Sequence, residues 1–590
     1  MNDREPPQRH RRQSAEAEPS AARRPVSMEP EQLGFTPQRP VGWLAPLLLL
    51  NTGLRTLMAI LFGAYLDKRE LQNALPGDAF TQPGTADGEL WFDYVADLGD
   101  GFHATYSVAY LLAQPQLEVD GQVLPRGQVL LMGGDQVYPL ANGDGYENRT
   151  KGPYRAALPE PPADGPQPTL FALPGNHDWY DGLTAFLRLF ARRKDGHIGG
   201  WRTQQYRSYF AVELPANWHL FAIDEQFGAY IDDPQLLYFE EAARKLGPDD
   251  RVILMTPSPV WVKAAKEPDR YDAVDYFIRT ILAPTGAQVR LLVSGDLHHY
   301  ARYTGEDRDL ITCGGGGAYL VATHNLPEQL TVPPKETLTR SASRSRDYKL
   351  VSRFPSVEES KRLRWGVFSK VPIRNAGFAT MLGIIQTLTM LAMAGAASQG
   401  GTLQRLFSIP LVIMLLLILA GTVLFAQPPG ADAAKHSRHW ILGVLHGFAQ
   451  IGLAAAGTWV WFHLPFRNWE WPGPLIVAAI LYGPVIAYLA TQLLSLYLLI
   501  ASLFDVNTNE LFAGQGIEDA KSFLRMHISP DGTLTVHAIG IDKICHKWVA
   551  DPDNTPDSSW LLPQEPLTPH LIEPPIIIDG PAAADSSQLP

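Results

Sequence analysis

A chain of 590 residues with 49 Lys and Arg against 61 Asp and Glu has a formal charge of −12. It is too long for one ordinary core and too acidic for general nucleic-acid wrapping. Its two cysteines, Cys313 and Cys545, exclude a disulfide framework and a thiolate zinc site. The mean hydropathy of −0.08 averages two unlike parts, because charges crowd into residues 1–376 and 505–590 and leave long uncharged tracts between them.

Residues 1–40, rich in Arg, Glu, Pro and Gln, read as a disordered tail without a secretory signal. Trp43 to Leu66 is apolar with Arg55 at its middle. A mid-span Arg costs about 2.5–3.5 kcal/mol on insertion scales, so residues 41–89 are expected to hold an interfacial or packed helix and a linker. Short apolar runs then end in polar loops: Leu90 to Ala96, Val129 to Met132, Leu170 to Leu173, Trp218 to Ile223, Val252 to Met255 and Val289 to Val293. They read as buried strands with helical stretches between, a layered α/β domain over residues 90–326. Residues 327–376 are expected as a polar and basic linker.

Four blocks without Asp, Glu, Lys or Arg follow: Phe378 to Ala397, Leu406 to Ala426, Trp440 to Trp461 and Leu475 to Phe504. Each is long enough to cross a hydrocarbon core of about 30 Å, so residues 377–504 are expected as four transmembrane helices, the last kinked or tilted around Gly483-Pro484. Lys361, Arg362, Arg364, Lys370 and Arg374 precede the first block, whereas Arg405 stands alone after it. By the positive-inside rule the α/β domain and the C-terminus face the cytoplasm of a multi-pass cell-membrane protein. Trp459, Trp461, Trp469 and Trp471 read as an interfacial belt on the other side. Residues 505–550 predict a small cytoplasmic β-hairpin appendix, and 551–590 a Pro-rich disordered tail.

Polar clusters sit directly after four of the strands: Asp97-Leu98-Gly99-Asp100, Gly134-Asp135-Gln136-Val137-Tyr138, Gly175-Asn176-His177-Asp178 and Gly295-Asp296-Leu297-His298-His299. One Gly-Asp after a strand is an ordinary turn; four together gather oxygen and imidazole donors on one sheet edge. Without thiolates such donors suit Mn, Fe, Zn or Mg. Gly314 to Gly317 are expected as a tight turn, since their spacing fits no phosphate-binding motif. A lone His446 in the third block reads as an interhelical hydrogen-bonding residue.

In its order of clusters the sequence resembles the calcineurin-like metallophosphoesterase superfamily, with Asp-x-Gly, Gly-Asp-x-x-Tyr and Gly-Asn-His-Asp similar to the purple acid phosphatase variant. The resemblance covers about residues 90–324. It implies a two-layer β-sandwich flanked by helices, and two divalent or mixed-valence metal ions about 3.5–4 Å apart. Asp97, Tyr138 and His298 would bind the first ion, Asp135 would bridge both, Asn176 and Asp296 would bind the second, and His177 would act on the substrate phosphate or leaving group. The implied reaction is phosphoester hydrolysis by a metal-bound hydroxide, on a lipid-linked or nucleotide-type substrate presented at the lipid membrane.

Three positions depart from the family's pattern. Asp296 replaces the first His of Gly-His-x-His, Gly99 replaces the His of Asp-x-His, and Thr256-Pro257-Ser258-Pro259 stands where another His is expected. The second site is therefore depleted, with Asp100, His299 and His103 as candidates to compensate. The alternative is a non-catalytic, membrane-associated binding or regulatory protein that keeps the fold.

Overall fold

The structure is a computed structural model in which residues 25, 27–49, 51, 72, 75, 77–160, 167–191, 196–225, 230–335, 343–427, 437–553 and 555–578 are described. The tail expected over 1–40 lies outside them through residue 24, and the helix expected over Trp43 to Leu66 lies outside them at 50 and 52–66.

Nine strands build the centre: β1 (Leu90–Val95), β2 (Val129–Met132), β3 (Thr169–Ala172), β4 (Trp218–Ala222), β5 (Arg251–Thr256), β6 (Gln288–Ser294), β7 (Asp309–Cys313), β8 (Lys521–Ile528) and β9 (Leu534–Ile541). One sheet runs Phe80–Thr81, Phe210–Leu214, β4, β5, β6, β7, Tyr300–Thr304, Arg346–Phe354, Gln329–Val332; the other runs Pro569–Leu571, β9, β8, β1, β2, β3, Trp201–Thr203, Gly196–Ile198, with Ile576–Ile578 also on β9. The pairs β1–β2, β2–β3, β4–β5, β5–β6 and β6–β7 are parallel.

Period-two alternation divides each central strand between two cores. Phe92, Tyr94, Leu131 and Phe171 face Leu220, Ile253, Leu291 and Val293 between the sheets. Val95, Leu130, Met132 and Leu170 face helices on one outer side, and Phe221, Val252, Leu254 and Leu292 face those on the other. The expected two-layer sandwich with flanking helices is present.

The C-terminal hairpin is no appendix. Strand β8 pairs antiparallel with β1, placing Arg525 opposite Asp93, and β9 pairs with β8. Strand β1 needs a partner on the side away from β2, and the chain supplies it only after the apolar helices. Part of the expected linker is likewise sheet: Gln329–Val332 pairs with Arg346–Phe354, which pairs with Tyr300–Thr304. In the expected tail, Leu561–Pro563 pairs with Trp548–Ala550, while Pro569–Leu571 and Ile576–Ile578 pair with β9.

Between the sheet's two contributions the described residues hold four helices long and apolar enough to cross a membrane: α1 (Ala376–Ala397), α2 (Ile409–Ala426), α3 (Ser437–His463) and α4 (Gly473–Ser502). Helix α4 widens into a π-helical turn at Ala478–Tyr482, just before Gly483-Pro484. Pro484 has no N–H to donate, and the wider turn absorbs that loss. Glycines bring the helices close: a Cβ at Gly443 would press on Val423, and one at Gly383 on Ala487. Gln386 Nε2 donates to Gln450 Oε1 (2.8 Å) across α1 and α3. His446 contacts Gln450 one turn on in its own helix and stacks on Tyr497 of α4 with ring centroids 4.2 Å apart. Of the four tryptophans expected as a belt, Trp459, Trp469 and Trp471 are exposed and Trp461 is buried. The bundle meets the sandwich through Asn507, whose amide donates to the Phe425 carbonyl (3.0 Å), through Tyr319 Oη to Asn509 (3.0 Å), and through the Lys266–Asp505 ion pair.

Candidate metal centre

The polar clusters after β1, β2, β3 and β6 meet where the two sheets join. Asp97, Asp135 and Asp296 all take left-handed backbone (φ 58°, 50° and 68°), a sharp bend that Asp tolerates better than bulkier residues. The bends lock together: Asp97 N–H donates to the Gly134 carbonyl, Leu98 N–H to the Asp135 carbonyl, and Asp296 N–H to Asp97 Oδ2 (2.8 Å).

Four expected donors converge on one point. The Tyr138 hydroxyl lies 3.0 Å from Asp97 Oδ1, 3.1 Å from Asp135 Oδ2 and 3.1 Å from His298 Nε2. His298 Nδ1 faces the Tyr319 carbonyl at 2.8 Å, and burial pushes this imidazole down to about 3. It is therefore neutral, with Nδ1–H donating and the Nε2 lone pair turned to Tyr138. Burial, then the charges of Asp135 and Asp296, push Asp97 well above the usual carboxylate range. Burial is also the main cause of the raised Asp135, with His177 opposing it. Carboxyls crowded and buried in this way retain protons that a cation would displace, and the one Tyr138 hydroxyl cannot donate to all three neighbours at once.

Among the described residues no three His, Cys, Asp or Glu side chains are arranged to hold an ion; Asp97, Asp135 and His298 are instead gathered around the Tyr138 hydroxyl. The separations near 3 Å are those from the Tyr138 hydroxyl, while His298 Nε2 and Asp97 Oδ1 lie 3.9 Å apart. In donor type, two carboxylates, an imidazole and a phenol suit a divalent cation.

His177 donates its backbone N–H to Asp135 Oδ1 (2.8 Å), and its Nδ1 lies 2.8 Å from the Pro139 carbonyl. With Nδ1–H donating there, Nε2 is the ring nitrogen left for chemistry. Asn176 beside it is half-buried. Asp178 ties two loops by accepting from Gly175 N–H (2.8 Å) and Tyr146.

Of the candidates to compensate, Asp100 accepts from Val41 N–H (2.7 Å), Trp43 Nε1 (3.2 Å) and Tyr319 N–H (3.2 Å), so its lone pairs hold the N-terminal segment. His299 is buried with neither ring nitrogen partnered, and burial pushes it down to about 4. His103 Nδ1 meets Trp548 Nε1 (3.2 Å), outside the cluster. The four glycines after β7 are close approaches, not a tight turn: a Cβ at Gly314 would overlap the Asp97 carboxylate, and one at Gly315 the backbone of Ser522. None of the four has positive φ.

Four residues near the centre carry no motif. Trp43 packs on Tyr138, His177 and Tyr319 (centroids 5.7, 5.7 and 5.2 Å). Lys263 Nζ lies 2.8 Å from Asp296 Oδ2. Glu225, after β4, is buried and raised to about 7 by that burial against the pull of Lys263. Lys521, on β8, is buried and lowered to about 8 by burial, with Asp519, Glu518, Asp100 and Asp97 opposing. Only Lys263 has a positional signal, following the strand after which the family's His is missing.

Residues 90–300 match the model of the calcineurin-like phosphoesterase family. No curated protein sequence matches the chain. Similar solved structures include GAP50, the anchor in the inner membrane complex of Plasmodium (11% identity, TM-score 0.29, covering 46% of this chain and 93% of that one). Purple acid phosphatase PPD1 from yellow lupin seeds (13%, TM-score 0.28) is covered over 46% of its length by 42% of this chain. PhoD (11%, TM-score 0.25) is covered over 59% by 42%.

Proposed function

We propose that the protein is a membrane-anchored, metal-dependent phosphoester hydrolase, acting on a phosphoester carried by a membrane lipid and facing the cytoplasm. The observation that carries this reading is the convergence of Asp97, Asp135 and His298 on the Tyr138 hydroxyl, in a segment that matches a phosphoesterase family. Asp97, Asp135, Tyr138 and His298 would hold the ion, Mn, Fe, Zn or Mg; when bound it supplies Lewis acidity and lowers the pKa of a coordinated water toward about 7. Asp97 and Asp135 supply the negative charge that retains it, and the Tyr319 carbonyl fixes the tautomer of His298. His177, oriented by Pro139, delivers a proton from Nε2 to the departing alkoxide. Trp43 shields this side of the cluster from water.

The lipid assignment is supported by a cavity of about 660 Å³ between the sandwich and the bundle, bounded by Ala426 and Gln427 at the end of α2, His439 at the start of α3, and Asn507 after α4. Lys263, Leu297 and His299 are among the residues that line it. The cytoplasmic assignment is supported by the basic run from Lys361 to Arg374 before α1.

The test is hydrolysis by the full chain in detergent and in lipid nanodiscs with Mn²⁺, comparing bis-p-nitrophenyl phosphate, p-nitrophenyl phosphate and a bilayer phosphatidic acid. Wild type is expected to turn over and Asp135→Ala to lose at least ~10²-fold, on the scale of deleting a main electrostatic contributor. Equal rates refute the hydrolase; activity on the soluble esters alone refutes the lipid assignment.

A further inference from the structure

The second cation position differs in kind from the first. The turn Thr256-Pro257-Ser258-Pro259, where an imidazole is expected, is seated against the site: a Cβ on Gly134 would lie 3.5 Å from the Pro257 carbonyl oxygen. One helical turn, Val260–Lys263, then brings Lys263 back, with Nζ 2.8 Å from Asp296 Oδ2. Asp296 is itself the residue that stands in place of a neutral imidazole.

The two departures make sense together. Each makes the centre less positive by one charge, and together they leave a neutral carboxylate–ammonium pair, Asp296 with Lys263. A metal ion and Lys263 cannot both occupy the space beside Asp296 Oδ2. Buried Glu225 adds a second acid to the electrostatic surroundings of Lys263, and Ser258 Oγ, from the same turn, donates to Glu225 Oε1 at 3.4 Å. Arg270 is a more distant cation facing the same group.

We infer that the Lys263 ammonium is the fixed second cation of this centre, and that the chain binds one metal ion, held by Asp97, Asp135, Tyr138 and His298. The inference rests on the metal-dependent reading above. An ammonium offers three N–H donors and no vacant coordination position. It therefore neutralises Asp296 and can hold a phosphate oxygen, but it leaves water activation to the single metal.

The experiment counts ions. Full-length protein in detergent is loaded with Mn²⁺, freed of excess by gel filtration and assayed for metal per chain, with melting curves to verify folding. Wild type and Lys263→Arg are expected to hold one ion. Lys263→Ala is expected to hold a second, weaker one, as is the length-matched Lys263→Met should the alanine variant misfold. Two ions in wild type, or one ion in a folded Lys263→Ala or Lys263→Met, overturns the inference and leaves the metal-dependent reading standing. No ion in wild type, or uptake unchanged in Asp135→Ala, overturns that reading and the inference with it.

Discussion

Replacing Arg525 with Met tests whether the strand after the four apolar helices is integral to the central sheet. Arg525 is fully buried, and Asp93 opposite it is 3% exposed. Its guanidinium donates to Asp93 Oδ1 (2.8 Å) and Oδ2 (3.1 Å), to the Leu112 carbonyl (3.1 Å) and to the Leu124 carbonyl (3.3 Å). Without it, Asp93 keeps only the Gly127 N–H at 3.3 Å. Breaking one side of a buried pair costs about 3–5 kcal/mol, which for a domain of this size lowers Tm by roughly 6–20 °C. Burial already raises the Asp93 pKa although Arg525 opposes it, and the variant raises it further. A carboxyl with a raised folded-state pKa loses stability as pH rises through the window above its unfolded value of about 3.9. The defect in Arg525→Met should therefore shrink as pH falls through that window. Asp93→Leu combined with Arg525→Met replaces the pair by apolar side chains and should recover most of the loss. Thermal unfolding of the full chain in detergent, followed by tryptophan fluorescence, reads all three quantities. A single variant costing under about 1 kcal/mol, or a double variant no better than the single, would refute an integral β8.

Four further outcomes are expected. A fragment ending at residue 376 lacks β8, leaves the edge of β1 and Asp93 bare, and should be aggregated or protease-sensitive, which gel filtration and limited proteolysis will show. Gly314→Ala places a methyl group on the Asp97 carboxylate and should reduce Mn²⁺ uptake at least as much as Asp97→Asn; unchanged uptake counts against the close approach. His177→Asn should slow esters of poor leaving groups by about 10²–10⁴ and p-nitrophenyl esters far less, since only the former need a proton donor; an equal effect on both would exclude the assigned role. Lys521, near 8 when folded and near 10.4 unfolded, has surrendered its proton between those values while the unfolded chain retains it. Stability should therefore rise by about 2 kcal/mol from pH 7.5 to 9.5, a rise that denaturant titrations should find missing in Lys521→Met.

The parts of this protein that were legible in sequence are those whose partners lie nearby or whose chemistry repeats. The six apolar runs mark β1 to β6 because parallel strands are buried on both faces, and the clusters after β1, β2, β3 and β6 mark the centre because each carries a donor at the same strand end. What stayed hidden depends on contacts across long stretches of chain. Strand β8 looks like an isolated hairpin until β1 is placed beside it, more than 400 residues earlier in the chain. Gly314 to Gly317 look like a turn because nothing local shows that Asp97 and Ser522 press against them. Lys263 looks like a surface residue of a short helix, and only the meeting of its turn with the loop after β6 gives it a carboxylate partner. The order of strands has a functional consequence. Because β8 and β9 complete the sheet that carries Asp97 and Asp135, the helices α1 to α4 lie inside the phosphoesterase fold in sequence, and both chain ends of the bundle are fixed to the domain that holds the centre. A linker-borne domain could turn freely above a bilayer. Two covalent anchorages, together with Asn507 and Tyr319 at the joint, hold the cavity beside Lys263 against the helix ends, which is the placement the proposed lipid-borne substrate would need.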